Sequence, residues 1–270
     1  MFFDADYQAN GEKMNVTVCE LPDNWTQDDI IWNEIIAHLA SKTSDLLVLP
    51  EMPFYPWITR SAHVNHGQWH KSVMAHETWC SRLGELPVEM VATSRPVIRN
   101  DRRLNQGFIW SRQDGVMACH EKYYLPDEPG YFEASWYHRG SGDFLSARGN
   151  GVNIGFMICT DLWFTDRARD YKEQDVDLLI CPRATPASKH DIWVPGGRAA
   201  AIVAGAFCLS SNFNGPNVPG EDFGGAGWII EPERGAVQAL TDRRHWLLTL
   251  DIDIASAKAA KKTYPRYVQE

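Results

Sequence analysis

Gly155-Phe-Met-Ile-Cys159-Thr-Asp161-Leu-Trp163-Phe164 is the stretch on which the reading of this chain turns. Apolar residues run from Val152 to Ile158 and stop at a cysteine. Thr160-Asp161 follows, then a charged run through Asp166, Arg167, Arg169, Asp170 and Lys172. That pattern predicts a buried strand, a sharp turn and an amphipathic helix, with Cys159 at the elbow. A thiol near a helix N-terminus meets free backbone N–H groups and the positive end of the dipole, which favour thiolate and can hold an oxyanion. A lone cysteine in an apolar run is more often a small packing residue, so the reading depends on what else converges there.

Outward from the elbow, the chain alternates strands and helices. Met14 to Leu21 reads as a strand. Gln27 to Ser44 places Ile30, Ile31, Trp32, Ile35, Ile36 and Leu39 at helical spacing. Asp45-Leu-Leu-Val-Leu-Pro-Glu51 is a short apolar strand ending in an acid. Strand, helix and strand in that order point to parallel pairing and an α/β fold. Val88–Val97, Gln106–Trp110 and Gly115–His120 read as further strands, the last running into Glu121-Lys122. Val176 to Pro182 is another buried strand. Arg183 to Gly197 reads as loop, Arg198 to Phe207 as helix and Cys208 to Phe213 as strand. A hairpin is expected over 224–240, and a last strand over Trp246–Ile252. With no repeat and no linker, residues 1–270 are expected to form a single domain, with a leader over about 1–13 and a C-terminal tail from about 255 to 270.

The net charge of -9 and the lack of a Lys/Arg-rich stripe argue against nucleic acid as a partner. Six scattered cysteines with no Cys-x-x-Cys pair suit a reducing compartment. The N-terminal residues lack a secretory pattern, and no apolar run reaches membrane-spanning length. A cytoplasmic protein with a small-molecule substrate and no membrane association is the expectation.

Glu51, Lys122 and Cys159 share one context: a reactive side chain at the C-terminal end of an apolar strand, where parallel sheets build their sites. A carboxylate, an ammonium and a thiol divide the labour of acyl transfer into base, oxyanion partner and nucleophile. Other candidates surround them. Met52 to Gln68, with Phe54, Tyr55 and Trp57, reads as a pocket-lining loop, and Tyr55 is a candidate substrate contact. Trp163 is a candidate pocket wall, and Arg183 a candidate partner for a substrate carboxylate. Asp161 reads as a helix cap. His63, His66, His70 and His190 lack the spacing of a zinc site, so no metal is expected.

The ordered set resembles the nitrilase, or carbon–nitrogen hydrolase, superfamily. The matching residues are Leu-Leu-Val-Leu-Pro-Glu51-Met, His120-Glu-Lys122-Tyr-Tyr-Leu-Pro126, Gly155-Phe-Met-Ile-Cys159-Thr-Asp161, Asp177-Leu-Leu-Ile-Cys-Pro182, Gly197-Arg198-Ala199 through Gly215, and Gly224-Gly225 through Pro232. The resemblance implies a four-layer αββα sandwich of two mixed sheets flanked by helices. It also implies association into a homodimer or higher homo-oligomer through the helix after the elbow. It implies attack by Cys159 on an amide, carbamoyl or nitrile carbon, a thioester acyl-enzyme and no cofactor. Glu133 matches the position of a second glutamate, set to hold Lys122 or the substrate amide, and the Thr160 N–H would join Lys122 at the oxyanion. Leu162 and Trp163 stand where carbamoyl-D-amino-acid hydrolases carry carboxylate-binding arginines. Thr160-Asp161 stands where true nitrilases have Trp-Glu. The first expectation is therefore hydrolysis of a small amide or N-carbamoyl compound. A nitrile substrate, suggested by the aromatic loop and Trp163, and a non-catalytic binding protein on the same fold are the alternatives.

Overall fold

Apolar, partly β-branched runs become strands, and the amphipathic segments between them become helices. The computed structural model describes residues 13–268; the expected leader lies outside the described residues apart from Lys13, which opens the first strand. The strands are β1 (Lys13–Pro22), β2 (Leu46–Val48), β3 (Met90–Arg99), β4 (Arg102–Ser111), β5 (Gly115–Glu121), the ribbon β6 (Asp127–Glu128) and β7 (Tyr131–Phe132), β8 (Ala147–Gly149), β9 (Val152–Phe156), β10 (Leu178–Pro182), β11 (Phe207–Val218), β12 (Glu221–Gly224), β13 (Trp228–Ile230), β14 (Val237–Leu240) and β15 (Leu247–Asp253). The helices are α1 (Ile30–Lys42), α2 (His66–Arg82), α3 (Glu133–Trp136), α4 (Thr165–Glu173), α5 (His190–Ala204) and α6 (Ile254–Ala260).

The expectation of two sheets meets a different hydrogen-bonding pattern. One ladder runs β5-β4-β3-β2-β1-β11-β10-β9-β8. The join is narrow: β1 pairs with β15 over Lys13–Cys19 and with β11 only over Glu20–Pro22. β1 is long enough to belong to one half at its start and to reach the other at its end. The two halves face one core, which unites Val16, Val48, Ala92 and Ile109 with Ile154, Phe156, Ile180 and Leu209. Strand alternation sends Leu47, Leu49, Val91 and Phe108 to the opposite face, where they meet Trp32, Ile35 and Leu39 of α1 and Trp79 of α2.

β1, β2, β3, β9, β10 and β11 run parallel where they pair. β4 is antiparallel to β3 and β5 antiparallel to β4, so β5 again runs with β2. The C-terminal ends of β2, β5, β9 and β10 therefore gather at one edge.

Three sequence readings change. The segment 190–197 is helix rather than loop, because α5 passes through Pro195-Gly196-Gly197. Tertiary packing outweighs local propensity there: a Cβ on Gly196 would lie 2.9 Å from the Trp163 ring, and one on Gly197 2.8 Å from Trp228. The expected tail is docked: Ile254, Ala257 and Ala260 of α6 are buried, and the Arg266 guanidinium donates to the carbonyls of Ile202 and Pro232. The loop after Glu51 is largely core, with Phe54 packed on Trp25, His76 and Trp79, and Trp57 donating to the Gly130 carbonyl. Among the described residues, no helix is long and apolar enough to cross a membrane.

The cysteine-bearing strand is held to α4 through Tyr171, whose hydroxyl accepts from the Phe156 N–H and donates to its carbonyl. Gly155 makes room for that ring; a Cβ there would stand 2.9 Å from three of its atoms. Gly155→Ala is expected to lower unfolding free energy by about 1–3 kcal/mol through overpacking. Denaturant melts of the two proteins check this, and unchanged stability would contradict it.

Candidate active site

Each strand that reaches the common edge delivers one reactive group. Glu51 follows β2, and its backbone N–H donates to the Arg183 carbonyl at 3.3 Å, which fixes it against the end of β10. Lys122 follows β5, its N–H bonded to the Asn105 carbonyl and its carbonyl accepting from Gly140. Glu133 opens the single turn of α3. All three side chains are fully buried.

The Lys122 Nζ lies 2.8 Å from Glu51 Oε1 and 2.5 Å from Glu133 Oε2. Asn105 Nδ2 donates to the same Glu51 oxygen at 2.7 Å, and the Tyr137 hydroxyl donates to Glu133 Oε2. Each carboxylate thus has one oxygen tied. Glu51 Oε2 and Glu133 Oε1 are buried without a hydrogen-bond partner among the described residues. Each of these two oxygens keeps acceptor capacity for a further donor.

Cys159 stands at the elbow with φ +48°, a left-handed conformation uncommon for a side chain other than glycine, and is 3% exposed. Its thiol donates to the Ala184 carbonyl at 4.0 Å. Burial pushes the thiol's pKa up, and the Glu51 charge adds to this against the opposing pull of Lys122. The expectation of an α-helix starting directly after the cysteine is corrected. The elbow leads into a short 3-10 turn, Cys159–Trp163, and the α-helix starts only at Thr165, so the sulfur sits in a buried site with little dipole to lower its pKa.

Burial raises the pKa of both glutamates, with the Lys122 ammonium as the main opposing influence, and Glu133 is pushed up to about 8. Glu133 and Glu51, acting against burial, in turn hold the Lys122 pKa well above its ordinary value. One ammonium faces two buried carboxylates, and the excess negative charge raises the cluster's affinity for a proton.

The remaining candidates divide. Thr160 is half-buried in the first turn after the elbow, where backbone N–H groups lack intrahelical partners. Trp163 is no pocket wall for this site: it is 40% exposed, its ring 4.9 Å from Trp193 beside an outer cavity shared with Ile192 and Pro195. Arg183 does not stand open to a substrate carboxylate. It is buried, stacked 3.8 Å over Trp228, with its N–H groups on Ser210 Oγ, Thr185 Oγ1 and the Ala226 carbonyl. Tyr55 is half-buried against the aromatic core of the α1–α2 face. Sequence reading missed Asn105 and Tyr137. Asn105, a polar residue inside an apolar strand, and Tyr137, four residues after Glu133, were the available signals.

The chain is similar to known proteins over most of its length. The carbon–nitrogen hydrolase family model matches residues 15–262. N-carbamoylputrescine amidase from Solanum tuberosum is 26% identical over 215 residues, covering 73% of this chain and 69% of the relative. Citrullinase from Francisella tularensis is 23% identical over 202 residues, 70% of each chain. The carbon–nitrogen hydrolase of Helicobacter pylori G27 shares the fold with a TM-score of 0.81 at 17% identity, covering 94% of both chains. A mutant amidase from Nesterenkonia sp. AN1, solved with the acetamide moiety of fluoroacetamide added covalently at its active site cysteine, superposes with a TM-score of 0.74 at 17% identity over 94% of this chain and 95% of its own.

The charge cluster has a stability signature. Glu133 holds its proton more tightly in the fold than in the unfolded chain. That stabilisation is complete below the ordinary carboxylate range and is lost as pH rises through about 8. Melting temperature is expected to fall between pH 5 and pH 9, roughly the window between the two pKa values, and Glu133→Gln is expected to flatten that fall. An equal or steeper fall in the variant, read by thermal scans across pH, would contradict the charge assignment.

Proposed function

The chain belongs to the carbon–nitrogen hydrolase family, and from that premise we propose that it is a thiol amidohydrolase cleaving a small amide or N-carbamoyl compound through an acyl-enzyme on Cys159. The observation that carries this reading is the pair of unpaired oxygens, Glu51 Oε2 and Glu133 Oε1, beside a lysine that both carboxylates share.

In the proposed reaction, the Cys159 sulfur attacks the carbonyl carbon and its proton passes to Glu51. The oxygen of the tetrahedral intermediate takes its charge against the Lys122 ammonium and the Thr160 N–H. Ionised Glu133 accepts an N–H of the scissile group through its free oxygen while its other oxygen steadies Lys122. Collapse returns the proton from Glu51 to the leaving nitrogen, and ammonia or an amine departs. Water then gives a proton to Glu51 and attacks the thioester, which releases the acid and restores the thiol. The raised pKa of Glu51 suits both directions of transfer, since a carboxylate that holds its proton more tightly is the stronger base.

The relatives' names support amide and carbamoyl chemistry over nitrile chemistry. So does the placement of Phe54 and Trp57 in the core and Trp163 on the outside, which removes the aromatic pocket that favoured a nitrile. We read the two halves of the sheet with their outer helices as the four-layer arrangement, and the exposed Trp163, Phe164 and Ile192 as the face of a homo-oligomer.

Ammonia release across a panel of short amides, N-carbamoyl amines and nitriles tests the proposal. Turnover of at least one amide or carbamoyl compound is expected, with Cys159→Ala lowering kcat roughly 10⁴-fold or more. Glu51→Gln is expected to lower it by about 10²- to 10⁴-fold. Undiminished turnover in Cys159→Ala would overturn the mechanism, and hydrolysis of nitriles alone would overturn the substrate class.

A further inference from the structure

The acid two residues after the cysteine does more than cap a turn. Asp161 is fully buried, and its carboxylate accepts four hydrogen bonds. Oδ2 takes the Ile158 N–H at 3.2 Å and His120 Nε2 at 2.9 Å; Oδ1 takes the Tyr123 N–H at 3.3 Å and the Tyr124 N–H at 3.0 Å. Ile158 immediately precedes the nucleophile. His120 and Tyr123 flank Glu121-Lys122 in sequence. One side chain therefore joins the residue before Cys159 to both sides of the segment that carries the ammonium. Because a carboxylate only accepts, His120 must present Nε2–H to it. The ring is held at 4.7 Å from Phe144, which the Arg167 guanidinium covers at 5.1 Å.

We propose that Asp161 and His120 are positioning residues that lock the strained Cys159 elbow to the Lys122 segment and so set the line of attack; this rests on the thiol reading above. The elbow's left-handed backbone disfavours Cys159, and a conformation of that kind persists only when its surroundings over-determine it. Asp161 supplies that constraint from inside the turn, and His120 anchors the carboxylate from β5. A shift of about 1 Å at a nucleophile costs on the order of 10²-fold in rate, which makes such a clamp kinetically important without its touching substrate.

Asp161 also reaches Glu51 through space. The charges that act on Glu51 are Lys122 and Asp161 directly, with Glu133 across the lysine. On its other side, Asp161 faces His120 from β5 and the Tyr171 phenol from α4. Asp161 adds to the affinity of Glu51 for a proton, so removing its charge lowers that affinity.

The test compares Asp161→Asn, His120→Leu and His120→Gln in the full chain. Three quantities are read: kcat and KM, the pH dependence of kcat/KM, and the rate of iodoacetamide addition mapped to Cys159. In Asp161→Asn the amide N–H₂ would face two N–H donors, so the elbow is expected to loosen. Asp161→Asn and His120→Leu are each expected to lower kcat about 10- to 100-fold with KM within about twofold. His120→Gln should recover much of the loss, because its Nε2–H reaches the same oxygen. The acid limb of kcat/KM moves to lower pH in Asp161→Asn and stays in place in His120→Leu. Equal rates in wild type and His120→Leu, or equal losses in Leu and Gln at matched melting temperatures, would overturn the clamp. Should Asp161→Asn fail to fold, the His120 pair decides alone. Alkylation separates the two readings. No preference for Cys159 in the wild type sinks the thiol mechanism and the clamp with it. A preferred Cys159 with the same rate in all variants sinks the clamp alone.

Discussion

A single ammonium shared by two buried carboxylates governs this molecule. Lys122 lies 2.8 Å from Glu51 and 2.5 Å from Glu133 with no exposed atom on any of the three side chains. Removing charges from water costs several kcal/mol each, and breaking such a pair by deleting one partner typically costs about 3–5 kcal/mol. The local architecture follows from that demand. Asn105 supplies a donor to Glu51, Tyr137 one to Glu133, and β4 fixes the Lys122 backbone. Compensation is still incomplete, because one positive charge cannot neutralise two negative ones. The uncompensated charge, together with burial, raises the cluster's affinity for a proton.

The thiol is governed by the same balance. Two influences compete at Cys159: the positive end of the following turn with Lys122 favours thiolate, while burial and Glu51 favour thiol. Burial wins, because the following turn is a five-residue 3-10 turn and not the start of a long helix. Burial and the Glu51 charge thus act on the sulfur in the same direction.

Much of this was legible in the order of residues. Glu51, Lys122 and Cys159 could be found because each ends an apolar strand, and β2, β5 and β9 all run the same way. Glu133 was legible only by resemblance, since its α3 turn carries no periodic signal. The clamp at Asp161 was hidden because capping and clamping call for the same residue type at the same place. Arg183, Trp163 and the loop from Phe54 to Trp57 misled for a common reason. Aromatic and guanidinium groups pack as readily as they bind, and only contacts made far along the chain, such as Trp228 beneath Arg183 or Trp79 against Phe54, decide between the two. Pro195-Gly-Gly reads as a break until the rings of Trp163 and Trp228 that fill the glycine sites are known.

The most direct measurement is the mass of the protein quenched in acid during turnover of a cleaved amide or carbamoyl compound, with the modified peptide identified. The account predicts an increment equal to the substrate's acyl group, carried on Cys159 and absent from Cys159→Ala. Product formation with no acyl group on Cys159, or with the group on another cysteine, would contradict it.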